Sequence, residues 1–93
     1  MPVYIVTYDF KQEPSDADRK RTRDAILKMD AVQLSESTYA VSTSLAATDL
    51  YDRVREALDE NDWLYVVTLK EGAANRRGWH KSAVIDWMKE KLR

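Results

Sequence analysis

The sequence predicts an α+β domain of order β-α-β-β-α-β: a four-stranded antiparallel sheet with two helices on one face, followed by a further C-terminal helix. Three observations carry this. The chain has 93 residues, enough for one hydrophobic core and too few for two. Runs of β-branched and aromatic residues alternate with segments whose apolar positions recur every three or four residues. Two of the short runs are separated only by Glu36-Ser37, the length of a hairpin turn.

The first strand is Val3-Tyr4-Ile5-Val6-Thr7-Tyr8, a continuous run of the kind found in strands covered on both faces. It stops at Asp9-Phe10, and a polar stretch containing Pro14 follows. Ser15 is placed to cap a helix over residues 16–29, with Asp16 and Asp18 in its first turn, where the helix dipole favours negative charge. Thr22, Ala25, Ile26 and Met29 mark its packing face. Ala31 to Ser35 and Thr38 to Ser42 then form the hairpin, although its turn lacks the usual Gly or Asn. A second helix, capped by Thr48 or Asp49, buries Leu50, Val54, Ala57 and Leu58 and ends near Asn61. Trp63-Leu64-Tyr65-Val66-Val67-Thr68-Leu69 is the last strand. A loop over residues 70–81 and a helix from Ser82 to Leu92, with Val84, Ile85, Met88 and Leu92 as its stripe, complete the chain.

This order is the ferredoxin-like split arrangement, with residues 1–69 as the domain and 70–93 appended to it. Right-handed crossovers put both helices on one sheet face. The first and last strands, richest in apolar residues, are expected at or near the centre. Of the strand tyrosines Tyr4, Tyr8, Tyr39 and Tyr65, some are expected on the opposite face. A second subunit, the C-terminal segment or a ligand then has to cover that face, and a homodimer is expected.

Composition removes many kinds of chemistry. Without Cys there is no disulfide framework, thiolate metal site or Cys nucleophile, and the single His80 cannot build a multi-histidine centre. No Gly-rich phosphate loop or Ser-His-Asp set is present. The longest apolar run is far shorter than the roughly 20 residues that span a bilayer, and the start of the chain does not read as a signal peptide. The expectation is a cytoplasmic chain with no membrane partner. Charge is uneven: net +1 over residues 1–28, −6 over 29–69 and +4 over 70–93. Clustered charge of this kind can leave a local nucleic-acid footprint despite a total of −1. The acidic surface between residues 49 and 62 favours a protein partner on its side of the molecule.

The remaining catalytic candidate is Asp9, the one carboxylate directly at the end of a buried strand. Alone it is a poor ligand set for Mg²⁺, which prefers octahedral oxygen coordination. Two copies of Asp9 across a two-fold axis would repel unless a cation lay between them. As a simple strand end, Asp9 would instead accept hydrogen bonds from the following loop. Arg19, Arg21 and Arg23 on the first helix, and Arg76 and Arg77 in the last loop, are candidate phosphate contacts or solvated helix and loop charges. Trp79 and Trp87 bracket the basic C-terminal segment, either anchoring the helix or stacking bases.

The element order, Tyr8-Asp9-Phe10 at the end of the first strand, Val32-Gln33-Leu34-Ser35 in the hairpin, Ser37-Thr38-Tyr39 after it and Asp62-Trp63-Leu64-Tyr65-Val66-Val67 together resemble the small CRISPR-associated Cas-two proteins and the related VapD-type ribonucleases. The resemblance covers residues 1–69. It implies a homodimeric ferredoxin-like fold with Asp9 as metal ligand and catalytic residue and Mg²⁺, or Mn²⁺ in its place, as cofactor. Some members are metal-dependent nucleases acting on RNA or DNA. Others are non-catalytic scaffolds that hold duplex DNA beside an integrase partner. Either function is therefore an expectation for this chain.

Overall fold

The computed structural model describes residues 1–93. Strand β1 (Val3–Asp9), helix α1 (Asp16–Leu27), the hairpin of β2 (Asp30–Ser35) and β3 (Thr38–Ser42), helix α2 (Ala47–Arg55) and strand β4 (Trp63–Thr68) follow in the expected order. A short turn of 3-10 helix, Ala73–Asn75, precedes helix α3 (Ser82–Leu92). The strands form one antiparallel sheet in the order β2-β3-β1-β4, which is the ferredoxin-like topology.

Period-two alternation along β1 sorts the core into two layers. Tyr4, Val6 and Tyr8 point to the face covered by α1 and α2, where they pack with Ile26, Tyr39, Val41, Leu50, Val54 and Leu58. Burial of a side chain such as Ile26 or Leu50 contributes about 1.5–3 kcal/mol. Val3 and Ile5 point to the other face, and there α3 lays Leu92, Met88 and Trp87 over Val3, Ala40, Val32 and Leu34. β1 is therefore covered on both faces at its start, around Val3 and Ile5, while Thr7 and Asp9 lie beyond the reach of α3 on the second face.

Two expectations are corrected and one is narrowed. β4 is an edge strand and not a central one, because the hairpin occupies the far side of β1. Tyr4, Tyr8 and Tyr39 all lie in the helix-covered core, and Tyr65 alone points to the opposite face, exposed. α2 is shorter than its apolar stripe: it starts after Ala46, with no side-chain cap from Thr48 or Asp49, and ends at Arg55. Ala57 and Leu58 are buried in the turns beyond it. Capping of α1 follows the sequence closely. Ser15 Oγ accepts the Asp18 N–H at 3.1 Å, and Asp18 Oδ2 accepts the Ser15 N–H at 3.1 Å.

One carboxylate clamps α3 to the sheet. Asp30 accepts hydrogen bonds from Lys91 Nζ at 2.6 Å and Trp87 Nε1 at 2.9 Å. The bond from Lys91, and then that from Trp87, holds the Asp30 carboxyl below its ordinary value, while Asp30 raises the Lys91 ammonium. A depressed carboxyl adds stability above its unfolded value near 3.8 and loses it as pH falls through the lower folded value. A raised ammonium adds stability below its unfolded value of 10.5 and loses it at higher pH. The clamp thus acts between about pH 4 and pH 10. Both groups are partly exposed, so screening keeps the effect small. Asp30→Asn is expected to lower the melting temperature by a few degrees at pH 7, with the gap to wild type closing once the pH lies below the folded value of the carboxyl. A gap that persists at that pH would assign the loss to altered packing and not to charge.

Candidate nucleic-acid interface

Asp9 ends β1 directly opposite Trp63 of β4, and its side chain is exposed. It shares a sheet face with Ile5 and Thr7, whose cross-strand partners are Val67 and Tyr65. α3 covers β2, β3 and the start of β1 on this face and leaves the Asp9 end of β1 and the alternate residues of β4 open. As a result Trp63 (72%), Tyr65 (69%) and Val67 (46%) stand exposed along an edge strand without a charged residue. Thr7 and Thr38 join their hydroxyls at 3.0 Å beside this patch.

The loop after Asp9 is fixed by a residue that composition does not single out. Asp62 is buried, and its carboxylate accepts the Lys11 N–H at 3.0 Å and the Asp59 N–H at 2.9 Å. Arg55 closes the same turn by donating to the carbonyls of Asp59 at 2.9 Å and Asp62 at 2.8 Å. A polar cleft of about 490 Å³ lies between this loop, α1 and the hairpin, and Asp9, Arg19 and Arg23 all line it. Tyr8 and Tyr39 form its floor, stacked with ring centroids 6.3 Å apart. The Tyr39 hydroxyl is buried and has no hydrogen-bond partner. Burial, and then the neighbouring Tyr39, pushes the Tyr8 phenol well above its ordinary range, so both groups remain protonated donors.

The α1 arginines differ in how far they are committed to ion pairs. Arg19 meets Glu13 at 3.0 Å, Asp16 at 3.5 Å and Glu36 at 3.6 Å. Arg21 pairs with Asp18 at 3.2 Å, donates to the Ala57 carbonyl at 3.2 Å, and faces a neighbouring cleft that also holds Asp59 and Glu60. Arg23 has only a long approach to Asp24, 3.8 Å. Of the three, Arg23 keeps most of its charge available.

Arg76 and Arg77 belong to a different place. They line a groove of about 520 Å³ between the last loop and α3, on the opposite side of the sheet from the Arg19–Arg23 cleft. Trp79 is 96% exposed there and anchors nothing, whereas Trp87 carries the anchoring role through the α3 layer and Asp30. His80, with no metal-ligating neighbour, is a strut. Its Nε2–H donates to the Leu34 carbonyl at 2.8 Å while Nδ1 accepts the Lys81 N–H at 2.9 Å.

Within one chain no three His, Cys, Asp or Glu side chains converge on a point that could hold a metal ion. Asp9 offers a single carboxylate, so one chain's residues do not fit a Mg²⁺ site. No family model and no curated protein matches the chain. The likeness to the Cas-two proteins rests on the quoted motifs and the element order.

Proposed function

We propose that this chain is a homodimeric nucleic-acid-binding protein, similar in arrangement to the Cas-two proteins, that serves as a scaffold. The observation that carries the reading is the open, uncharged half-face of Trp63, Tyr65 and Val67 next to Asp9. A second copy suits this surface, because an apolar patch without charge is self-complementary and offers nothing to select a different partner. The supply of cations without carboxylate partners, concentrated after residue 70, supports phosphate binding. Asp49 and Asp52 on α2, with Glu56 just beyond its end, give this side of the molecule an exposed acidic surface, which suits a basic protein partner such as an integrase better than nucleic acid.

Hydrolysis is the second reading, favoured by the place of Asp9 at the rim of the same half-face. Self-association there would bring two Asp9 carboxylates to one interface and supply ligands that a single chain lacks. The test is binding and cleavage of labelled RNA and DNA by wild type and Asp9→Asn, with Mg²⁺ or Mn²⁺ and with EDTA. A scaffold binds in a salt-dependent, chelator-indifferent way and cleaves nothing. Metal-dependent cleavage that disappears in Asp9→Asn would replace the scaffold by the nuclease. Absence of any binding at low salt would overturn both.

A further inference from the structure

Trp79 is the least explained side chain of the molecule. A large indole exposed to 96% loses the benefit of burial, and its neighbours hold it there instead of folding it inward. His80 ties the loop to β2 through the Leu34 carbonyl, and the Lys81 N–H bonds the same ring. On the preceding side, Arg76 reaches the Leu92 carbonyl at 3.4 Å and Gly72 N–H donates to that carbonyl at 3.0 Å. The loop is thus fixed at both ends, with Trp79 at its outer surface.

The charges around it point to a phosphate-bearing partner. The ion pairs of the chain use Arg19, Lys20, Arg21, Arg23 and Lys91, and none involves Arg76, Arg77, Lys81 or Lys89. The groove is lined by Arg76, Arg77 and Lys89 with Leu34, Val84, Met88 and Trp79 itself as apolar wall, and no carboxylate lines it. α3 begins next to it at Lys81 with no side-chain cap and no acidic residue in its first turn, so its N-terminal N–H groups and dipole also favour an anion.

From this we infer that residues 76–89 form a binding site for single-stranded nucleic acid, with Trp79 as a platform for base stacking and Arg77, Lys81 and Lys89 as phosphate contacts. This rests on the nucleic-acid reading and sharpens it to a strand class and a surface. A duplex keeps its bases stacked inside and gives an exposed indole nothing to stack on, whereas a single strand offers free base faces to it. An acidic peptide could also meet these cations and the apolar wall, and a peptide arm of the experiment separates the two.

The experiment is fluorescence anisotropy with labelled dT12, rU12 and a 12-base-pair duplex at about 50 mM salt, the regime where phosphate contacts dominate. Wild type is expected to prefer the single strands, and the dT12 and rU12 arms show which sugar is taken. Trp79→Ala should weaken single-strand binding by about fivefold or more, while Trp79→Phe retains most of it. Arg77→Ala with Lys89→Ala should flatten the slope of log K against log salt by about 1.4, roughly 0.7 per lost contact. Binding that is unchanged in Trp79→Ala, or equal for duplex and single strand, would overturn this inference and leave nucleic-acid association standing. Failure of wild type to bind any of the three would overturn both. Tight binding of a labelled Glu-Leu peptide, lost in Trp79→Ala, would then assign the groove to a protein partner.

Discussion

Truncated after Gly78, the chain is expected to aggregate or to melt far below the full-length protein. α3 supplies most of the cover over the second sheet face at Val3, Ala40, Val32 and Leu34. Removing it exposes a contiguous apolar surface on a domain already small for its core. It also removes the Leu92 carbonyl, which accepts the Gly72 N–H and the Arg76 guanidinium and so holds the last loop. A point substitution isolates the packing part. Leu92 is buried against Val3 and Ala40, and Leu92→Ala should cost about 2–3 kcal/mol. In a domain of this size that corresponds to a fall in melting temperature of roughly 10–20 °C, read by circular dichroism. An unchanged melting curve for either variant would mean that α3 is detached from the sheet in solution.

The strands and helices were legible because their hydrophobic periodicity is strong and their boundaries carry recognised chemistry. Ser15 with Asp18 marks the start of α1 at the level of single residues, and the reciprocal bonds confirm it. α2 shows the limit of such signals. Its apolar positions continue through Ala57 and Leu58, but the backbone leaves the helix at Arg55 and buries both residues in turns. Periodicity reports burial, and burial does not require that the helix continue. β4 misled for a related reason. An apolar run resembles a central strand, yet its alternate residues Trp63, Tyr65 and Val67 face an uncovered surface. Sequence alone does not distinguish a side chain buried by its own chain from one left for another molecule.

The candidate site was partly legible. Asp9 stands where its position at the end of β1 implies, and Arg19 and Arg23 share a cleft with it. The pairing of Arg19 with Asp16 follows from helix spacing, but residue type could not show that Glu13 and Glu36, from two other segments, also hold it. Asp62 reads in the sequence as the residue before a strand, and its bonds to the Lys11 and Asp59 amides emerge only when the fold brings these segments together. The Tyr39 hydroxyl, buried without a partner, has no signature in the sequence. Trp79 and Trp87 look alike as flanking aromatics; only packing separates the anchor from the free platform.

Trp63→Glu and Tyr65→Glu are expected to convert the protein from dimer to monomer without unfolding it. Both side chains are largely exposed in the single chain, so a carboxylate there stays solvated and leaves the fold intact. Across a two-fold axis the same carboxylate would be desolvated opposite its own copy, or would sit in an apolar interface without a partner. Central aromatics of such patches cost 2 kcal/mol or more when removed, roughly 30-fold in dissociation constant, and a charge adds to that. The direct measurement is the native mass by sedimentation equilibrium at micromolar concentration, with circular dichroism to verify folding. Wild type should show twice the 10.8 kDa chain mass and Trp63→Glu the chain mass itself, with equal helical signal. A wild-type protein that sediments as a 10.8 kDa monomer across this range would contradict the dimer on which the scaffold reading stands.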